Sequence, residues 1–338
     1  MSRPPLYGQY ANWVSATLGR EVLPQKRRSV EEIQGAREFW DLEHLNRSVP
    51  DLEALHTGVV ISDRGGRRLS AEVAVPRGDG PNPVILYLHG GSWSLWSPAH
   101  LRRQVALLAA QGFVTVNLDY GLAPEHPFPW ATIDTIEALA WTMRTISNYG
   151  GDPNHIVVAG DSAGANLVAG ALTALLPGAD SSPFLDGIEL PDADDVAKRI
   201  AGALLLYGVY DFPLLISNPL GNRHSGIVET TWNIAYLGMD FLSKHLDPLV
   251  SPIYASNLAE FPPTYLTVGD RDQIYPQSFR FAESLIAADV PTRLSVVPDT
   301  DHEFLLLDET LPAARAELDD IGRWLAGLMH RRATRNAR

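Results

Sequence analysis

The chain has 338 residues, 45% of them apolar and 20% charged, with a formal net charge of −13. Such a chain fills one large α/β domain or two ordinary ones, and its acidity argues against nucleic acid, since phosphate binding wants a basic face. It has no cysteine, which excludes disulfides, thiolate nucleophiles and Cys-ligated metals.

Residues 1–56 are rich in charge and helix formers, with Trp13 and Trp40 among several Leu and Val residues. They read as an amphipathic helical segment without evident chemistry. The first residues lack the apolar run of a signal peptide, and no stretch approaches ~18 uninterrupted apolar residues. A cytoplasmic protein with no membrane insertion is therefore expected. Strands are predicted at Gly58–Ile61 and Leu69–Val75, around the turn Arg64-Gly65-Gly66, and at Val84–Leu88, a short apolar run bounded by Pro83 and a glycine turn. A helix over Leu101–Gln111 and a strand over Phe113–Leu118 follow. Apolar residues at 133, 136, 139, 140, 143 and 146 give Ala131–Asn148 a helical period. His155–Ala159 reads as a strand and Ala163–Leu176 as a helix. Beyond a polar, acidic insertion (Pro177–Lys198) come strands at Ala203–Tyr207, Tyr265–Val268 and Arg293–Val297, with a helix over Gln277–Ala288 and a closing helix over Leu311–Met329. The basic tail, with Arg331, Arg332, Arg335 and Arg338, is expected to be disordered. Alternating strands and helices imply an α/β fold, a mostly parallel central sheet with helices on both faces. One span breaks the alternation: Phe212 to about Pro252 has no strand signal. With residues 1–56 it reads as a helical cap over the carboxyl edge of the sheet, where open α/β sheets carry their sites. The division is then a cap segment over 1–56 and an α/β domain over 57–338 with a cap insertion at about 212–252.

Gly160-Asp161-Ser162-Ala163-Gly164 matches G-x-S-x-G and sits between a predicted buried strand and a helix, the context that makes such a serine a nucleophile. The turn is sharp, so small residues must flank the serine. A serine that only caps the helix is the competing assignment. After the strand Val84–Leu88 comes His89-Gly90-Gly91-Ser92-Trp93. Acyl transfer develops a negative oxygen, and preset amides stabilise it by ~3–4 kcal/mol per donor. The amides of Gly90, Gly91 and Ala163 are the expected donors, with His89 bracing the loop. Of His224, His245, His302 and His330, the first two lie in the expected cap and the last in the basic tail, while His302 lies in the loop after the last predicted strand, where the base belongs. The strand Tyr265–Val268 runs into Asp270-Arg271-Asp272, and either carboxylate fits the acid. The other reads as a loop-stabilising carboxylate beside Arg271. Trp93, Trp96, Trp232 and Tyr236 are candidate walls of an apolar substrate pocket, with core packing as the alternative. Asp192-Ala193-Asp194-Asp195 reads as a solvated loop rather than a calcium site, and no metal or cofactor is expected.

Taken together, these residues resemble the hormone-sensitive-lipase-like carboxylesterases of the α/β-hydrolase superfamily over roughly residues 57–325. His89–Trp93 is similar to the HGGGW-type loop, and Tyr120-Gly121-Leu122-Ala123-Pro124-Glu125-His126-Pro127-Phe128-Pro129 to the Y-R-L-A-P-E-H-P-F-P signature. Gly160–Asn166 looks like the nucleophile elbow. The resemblance selects Asp272 over Asp270, because Asp272-Gln273-Ile274 aligns with a D-x-L-like segment. It implies an α/β-hydrolase fold with a helical cap and a cofactor-free esterase using Ser162, His302 and Asp272 on small-molecule esters. It also allows a homodimer. Asp301-His302-Glu303-Phe304 corresponds to the family's H-G-F around the base. Ser92 stands where the third loop glycine is usual, Gly121 where the signature has Arg, and Gln273 where Pro is common after the acid. The same triad also serves amide-cleaving arylformamidases and lactone hydrolases. A non-catalytic ligand receptor is the alternative of another class, and the presence of His302 speaks against it.

Overall fold

The computed structural model describes residues 37, 47–64, 66–217, 235–238 and 241–336. Eight strands form one sheet: β1 (Ala54–Arg64), β2 (Arg67–Val75), β3 (Asn82–Leu88), β4 (Val114–Asp119), β5 (Gly151–Asp161), β6 (Ile200–Leu206), β7 (Thr264–Gly269) and β8 (Thr292–Val297). Their spatial order is β1-β2-β4-β3-β5-β6-β7-β8. The pairs β1–β2 and β2–β4 are antiparallel, and every pair from β4–β3 onward is parallel. The helices are α1 (Pro98–Ala109), α2 (Trp130–Thr145), α3 (Ala163–Leu175), α4 (Ala193–Arg199), α5 (Phe212–Ser217), α6 (Tyr275–Ala287) and α7 (Pro312–Asn336).

Side-chain alternation along each strand feeds two cores, one on each face of the sheet. Val84, Leu86 and Leu88 of β3 join the cluster that takes Ile136 and Leu139 of α2, Leu167 and Leu172 of α3, and Phe281 of α6. Ile85 and Tyr87, the residues between, join Val105 and Leu108 of α1 and Ile321 and Leu325 of α7. The apolar runs that marked β3, β5 and β6 in the sequence are continuous because both faces of those strands are covered.

Three expectations need correction. The acidic run is solvated but is not a loop: Asp192 caps α4, its carboxylate accepting the Asp195 amide at 2.9 Å, and Asp194 and Asp195 lie in the first turn, where the helix dipole favours them. Up to residue 336 the basic tail is not loose: α7 continues to Asn336, and Arg332 donates to the carbonyls of Ile200, at 2.8 Å, and Lys198; Arg338 lies outside the described residues. The sheet also begins earlier than residue 57, with β1 starting at Ala54. Between 212 and 252 the described residues form α5, a helical piece at 235–237 and a 3-10 turn at Phe241–Ser243, with no strand among them. Most of residues 1–56 lie outside the described residues. Among the described residues, no helix is long and apolar enough to cross a membrane.

Candidate active site

β5 ends at Asp161 and α3 begins at Ala163, so Ser162 alone makes the turn. Its backbone is at φ 49°, ψ −116°, a conformation that a side-chain-bearing residue holds only when its surroundings impose it. Those surroundings are visible. A Cβ on Gly160 would stand 2.5 Å from the carbonyl carbon of Gly164, and one on Gly164 would run into the carbonyl oxygen of Leu88. The elbow is thus pressed against its own helix and against the end of β3. The Ser162 amide donates to Leu206 O at 2.8 Å, tying the turn to β6.

The ends of the next two strands complete the cluster. Asp272 lies just past β7 and His302 just past β8. His302 Nδ1 is 2.7 Å from Asp272 Oδ2, and Nε2 is 2.9 Å from Ser162 Oγ. Asp272 is buried, and its other oxygen accepts the Ile274 amide at 2.8 Å, which fixes the carboxylate. Of the two carboxylates open in the sequence, Asp272 is therefore the one beside the imidazole. Asp270 is exposed, and Arg271 pairs with Asp299 instead of with it. Burial works against a charged imidazole at His302, but the Asp272 carboxylate outweighs it through charge and hydrogen bond, with Glu303 and Asp161 adding, and the pKa rises to about 9. The Tyr207 ring meets this imidazole edge-on at 5.1 Å between centroids.

A model of the alpha/beta hydrolase fold family matches residues 85–306. Carboxylesterase NlhH of Mycobacterium tuberculosis is 30% identical over 258 residues, which are 73% of each chain. The chain belongs to the alpha/beta hydrolase family. The relatives lie on the carboxylesterase side of it, as the loop, signature and elbow motifs implied. Ethyl acetate hydrolase of Pseudomonas putida is 24% identical over 325 residues, covering 93% of this chain and 95% of its own. Among solved structures, a Pyrobaculum calidifontis esterase matches with a TM-score of 0.73 at 24% identity, over 90% of this chain and 96% of that one. A bacterial heroin esterase gives 0.74 at 22% identity, over 95% and 98%.

In this hydrolase the loop after β3 departs from one expectation. The Gly90 amide does not face the serine; it donates to Asp161 Oδ1 at 3.0 Å. The following residues turn left-handed in succession, Gly91 at φ 96°, Ser92 at 51° and Trp93 at 58°. Ser92 thus holds a conformation that glycine adopts more readily, at the position where a third glycine is usual. The neutral brace expected of His89 is present: its Nδ1 lies 2.8 Å from Gly90 O, its ring stacks on Tyr120 at 4.4 Å, and burial lowers its pKa to about 4. The proline-rich signature acquires a role that sequence alone did not reveal. Tyr120 Oη donates to His89 O at 2.8 Å, and the Ala123 amide to Trp93 O at 2.9 Å. Arg37, from the N-terminal segment, donates to Ser94 O at 2.7 Å, to Ala123 O at 2.8 Å and to both oxygens of Glu125. The signature is the back plate of the loop.

Three of the four candidate pocket aromatics are core residues. Trp93 and Tyr236 stack on each other at 4.6 Å, Trp96 stacks on His100 at 4.1 Å, and all three are buried. Trp232 lies outside the described residues. Two carboxyl groups went unnoticed in the sequence. Asp161, the x of the elbow motif, is fully buried between the loop after β3 and Tyr87, whose hydroxyl donates to it at 2.9 Å. Burial raises its pKa to about 7 against that bond, and the charge of Glu303 adds to the rise. Glu303 brings Oε1 to 4.0 Å from His302 Nε2. The place of Asp161 inside the elbow motif was the available signal for one, and the replacement of glycine in H-G-F for the other.

Proposed function

We propose that this chain is a serine carboxylesterase that cleaves short-to-medium acyl esters through an acyl-enzyme. The observation that carries the reading is the unbroken chain Ser162 Oγ, His302 Nε2, His302 Nδ1, Asp272 Oδ2, with contacts of 2.9 and 2.7 Å. Ser162 Oγ attacks the ester carbonyl while His302 Nε2 accepts its proton. Asp272 holds Nδ1–H and stabilises the imidazolium. The carbonyl oxygen becomes an oxyanion against the amides of Ala163, at the start of α3, and Gly91, with Ser92 next in the loop. Gly90 is left out because its amide serves Asp161. The C–O bond breaks, Nε2 returns the proton to the leaving alkoxide, and a water activated by the same nitrogen releases the acid and restores the serine. Residues 1–56 and the insertion at about 212–252 act as the cap; the reach of Arg37 to the oxyanion loop and the packing of Tyr236 on Trp93 support this. A cytoplasmic setting belongs to the same reading, since a chain without cysteine needs no oxidising compartment.

The test is a panel of short nitrophenyl esters, a lactone and N-formylkynurenine, together with organophosphate labelling. Turnover of the esters and labelling of Ser162, abolished in His302→Ala, are expected. Rapid deformylation with no ester cleavage would move the assignment to amide hydrolysis, and an unlabelled wild type would favour a receptor.

A further inference from the structure

Glu303 occupies an unusual place. It is the residue after the imidazole, with its backbone at φ 63°, in the region that residues other than glycine visit rarely. Glycine would sit there without strain, and the motif this segment resembles has glycine. The glutamate that replaces it is held with Oε1 4.0 Å from His302 Nε2, the nitrogen that also faces Ser162 Oγ. Its side chain is 35% exposed, while burial of the carboxyl raises its pKa against the pull of His302, with Asp272 adding to the rise. Besides His302, the titratable groups that interact with it are Asp272, buried Asp161 and Tyr207. Among the described residues no Lys or Arg forms an ion pair with it, and the imidazole is its cationic partner.

The side of the site that Glu303 occupies follows from the chemistry. Nε2 must pass its proton to the oxygen of the leaving alcohol, so that oxygen comes within a hydrogen bond of Nε2, roughly 3 Å. The Glu303 carboxylate then lies no more than about 7 Å from the leaving oxygen. A cation two carbons along the alcohol falls within ion-pair reach of it. We propose that Glu303 is a specificity-determining residue that selects esters whose alcohol carries a positive charge, an amine or quaternary ammonium about two carbons from the ester oxygen. The inference rests on the esterase reading of the site. The net charge of −13 works in the same direction, because an anionic protein raises the local concentration of cationic substrate.

The experiment compares acetylcholine with 3,3-dimethylbutyl acetate, which has the same shape with carbon in place of the charged nitrogen. Both are assayed with the full chain, as wild type, Glu303→Gln and Glu303→Gly. The wild type is expected to favour the cationic ester in kcat/KM by about two- to fivefold, the range of a partly exposed ion pair, with the difference in KM. Both variants should bring the ratio to about one, and the glycine variant does so while relieving the backbone. Glu303→Asp, which keeps the charge, should retain part of the preference. Turnover of both esters with a ratio unchanged in the variants overturns the assignment and leaves the esterase reading standing. Failure to cleave either ester, with Ser162 unlabelled by an organophosphate, overturns both.

Discussion

A base with a pKa of about 9 makes pH the most revealing perturbation. Only neutral imidazole can accept the Ser162 proton, so kcat/KM for an uncharged ester should rise about tenfold per pH unit between pH 6 and 8 and level off above about 9. At pH 7 roughly 1% of the free enzyme then carries the working form of His302. Stability runs the other way. The folded pKa exceeds the unfolded value of 6.5, so the interaction of the imidazolium with Asp272 contributes fully below pH 6.5 and is lost as pH climbs through about 9. A shift of this size corresponds to about 3 kcal/mol, given that the side chain is only 19% exposed. Asp272→Asn removes the charge that holds the pKa up. It should carry the acid limb down toward 6.5 while lowering the plateau by roughly 10⁴-fold, the loss found when such a carboxylate is neutralised in a serine triad. Asp270→Asn, which changes an exposed side chain, should leave both the limb and the plateau within about threefold. The assays are kcat/KM profiles from pH 5.5 to 10 on a nitrophenyl acetate, with urea denaturation at pH 6 and pH 9. A wild-type acid limb centred at or below 6.5 would refute the reasoning, as would equal urea midpoints at the two pH values combined with an unmoved limb in Asp272→Asn.

Gly164→Ala should cost about 3 kcal/mol or more, read as a fall in urea midpoint, because the methyl group meets the backbone of Leu88 and His89, which cannot rotate away. Asp161→Ala should lower kcat by about ten- to a hundredfold with little change in KM. It strands the buried Gly90 amide and Tyr87 hydroxyl and frees the loop that carries the oxyanion donors. A change confined to KM would show that Asp161 supports binding instead.

The elements most legible in the sequence were those whose physics is local. β3, β5 and β6 announce themselves as apolar runs of strand length, and the Ser162 elbow as glycines around a serine between a strand and a helix. The alternation of strands and helices then placed Ser162, Asp272 and His302 at one sheet edge, because parallel strands end on the same side. What stayed hidden depends on contacts between distant segments. The direction of the Gly90 amide is set by Asp161, 71 residues away, and the ordered end of α7 by the carbonyls of Lys198 and Ile200, more than 130 residues away. The choice between Asp270 and Asp272 needed the resemblance, since two residues of spacing say nothing about which carboxylate turns inward. Trp93 and Tyr236 had the composition of a pocket and the geometry of a core, and composition alone could not separate these.

The departures from the family pattern are not independent of one another. Gly121 stands where the signature has an arginine, and here a guanidinium reaches the same neighbourhood from another strand. Arg67 of β2 forms an ion pair with buried Asp134 of α2, and the same carboxylate accepts the Gly121 amide at 2.8 Å. A Cβ on residue 121 would lie 2.7 Å from Arg67 Nη1, so a side chain there would require the guanidinium to shift. A buried carboxylate needs a partner or it neutralises, and here the partner reaches Asp134 from the neighbouring antiparallel strand instead of from the signature itself. The backbone of the signature, which presents Tyr120 to the loop after β3, is therefore held through Asp134, itself paired with Arg67. The loop behind Ser162 thus has a braced backbone at the position where the motif departs from its pattern.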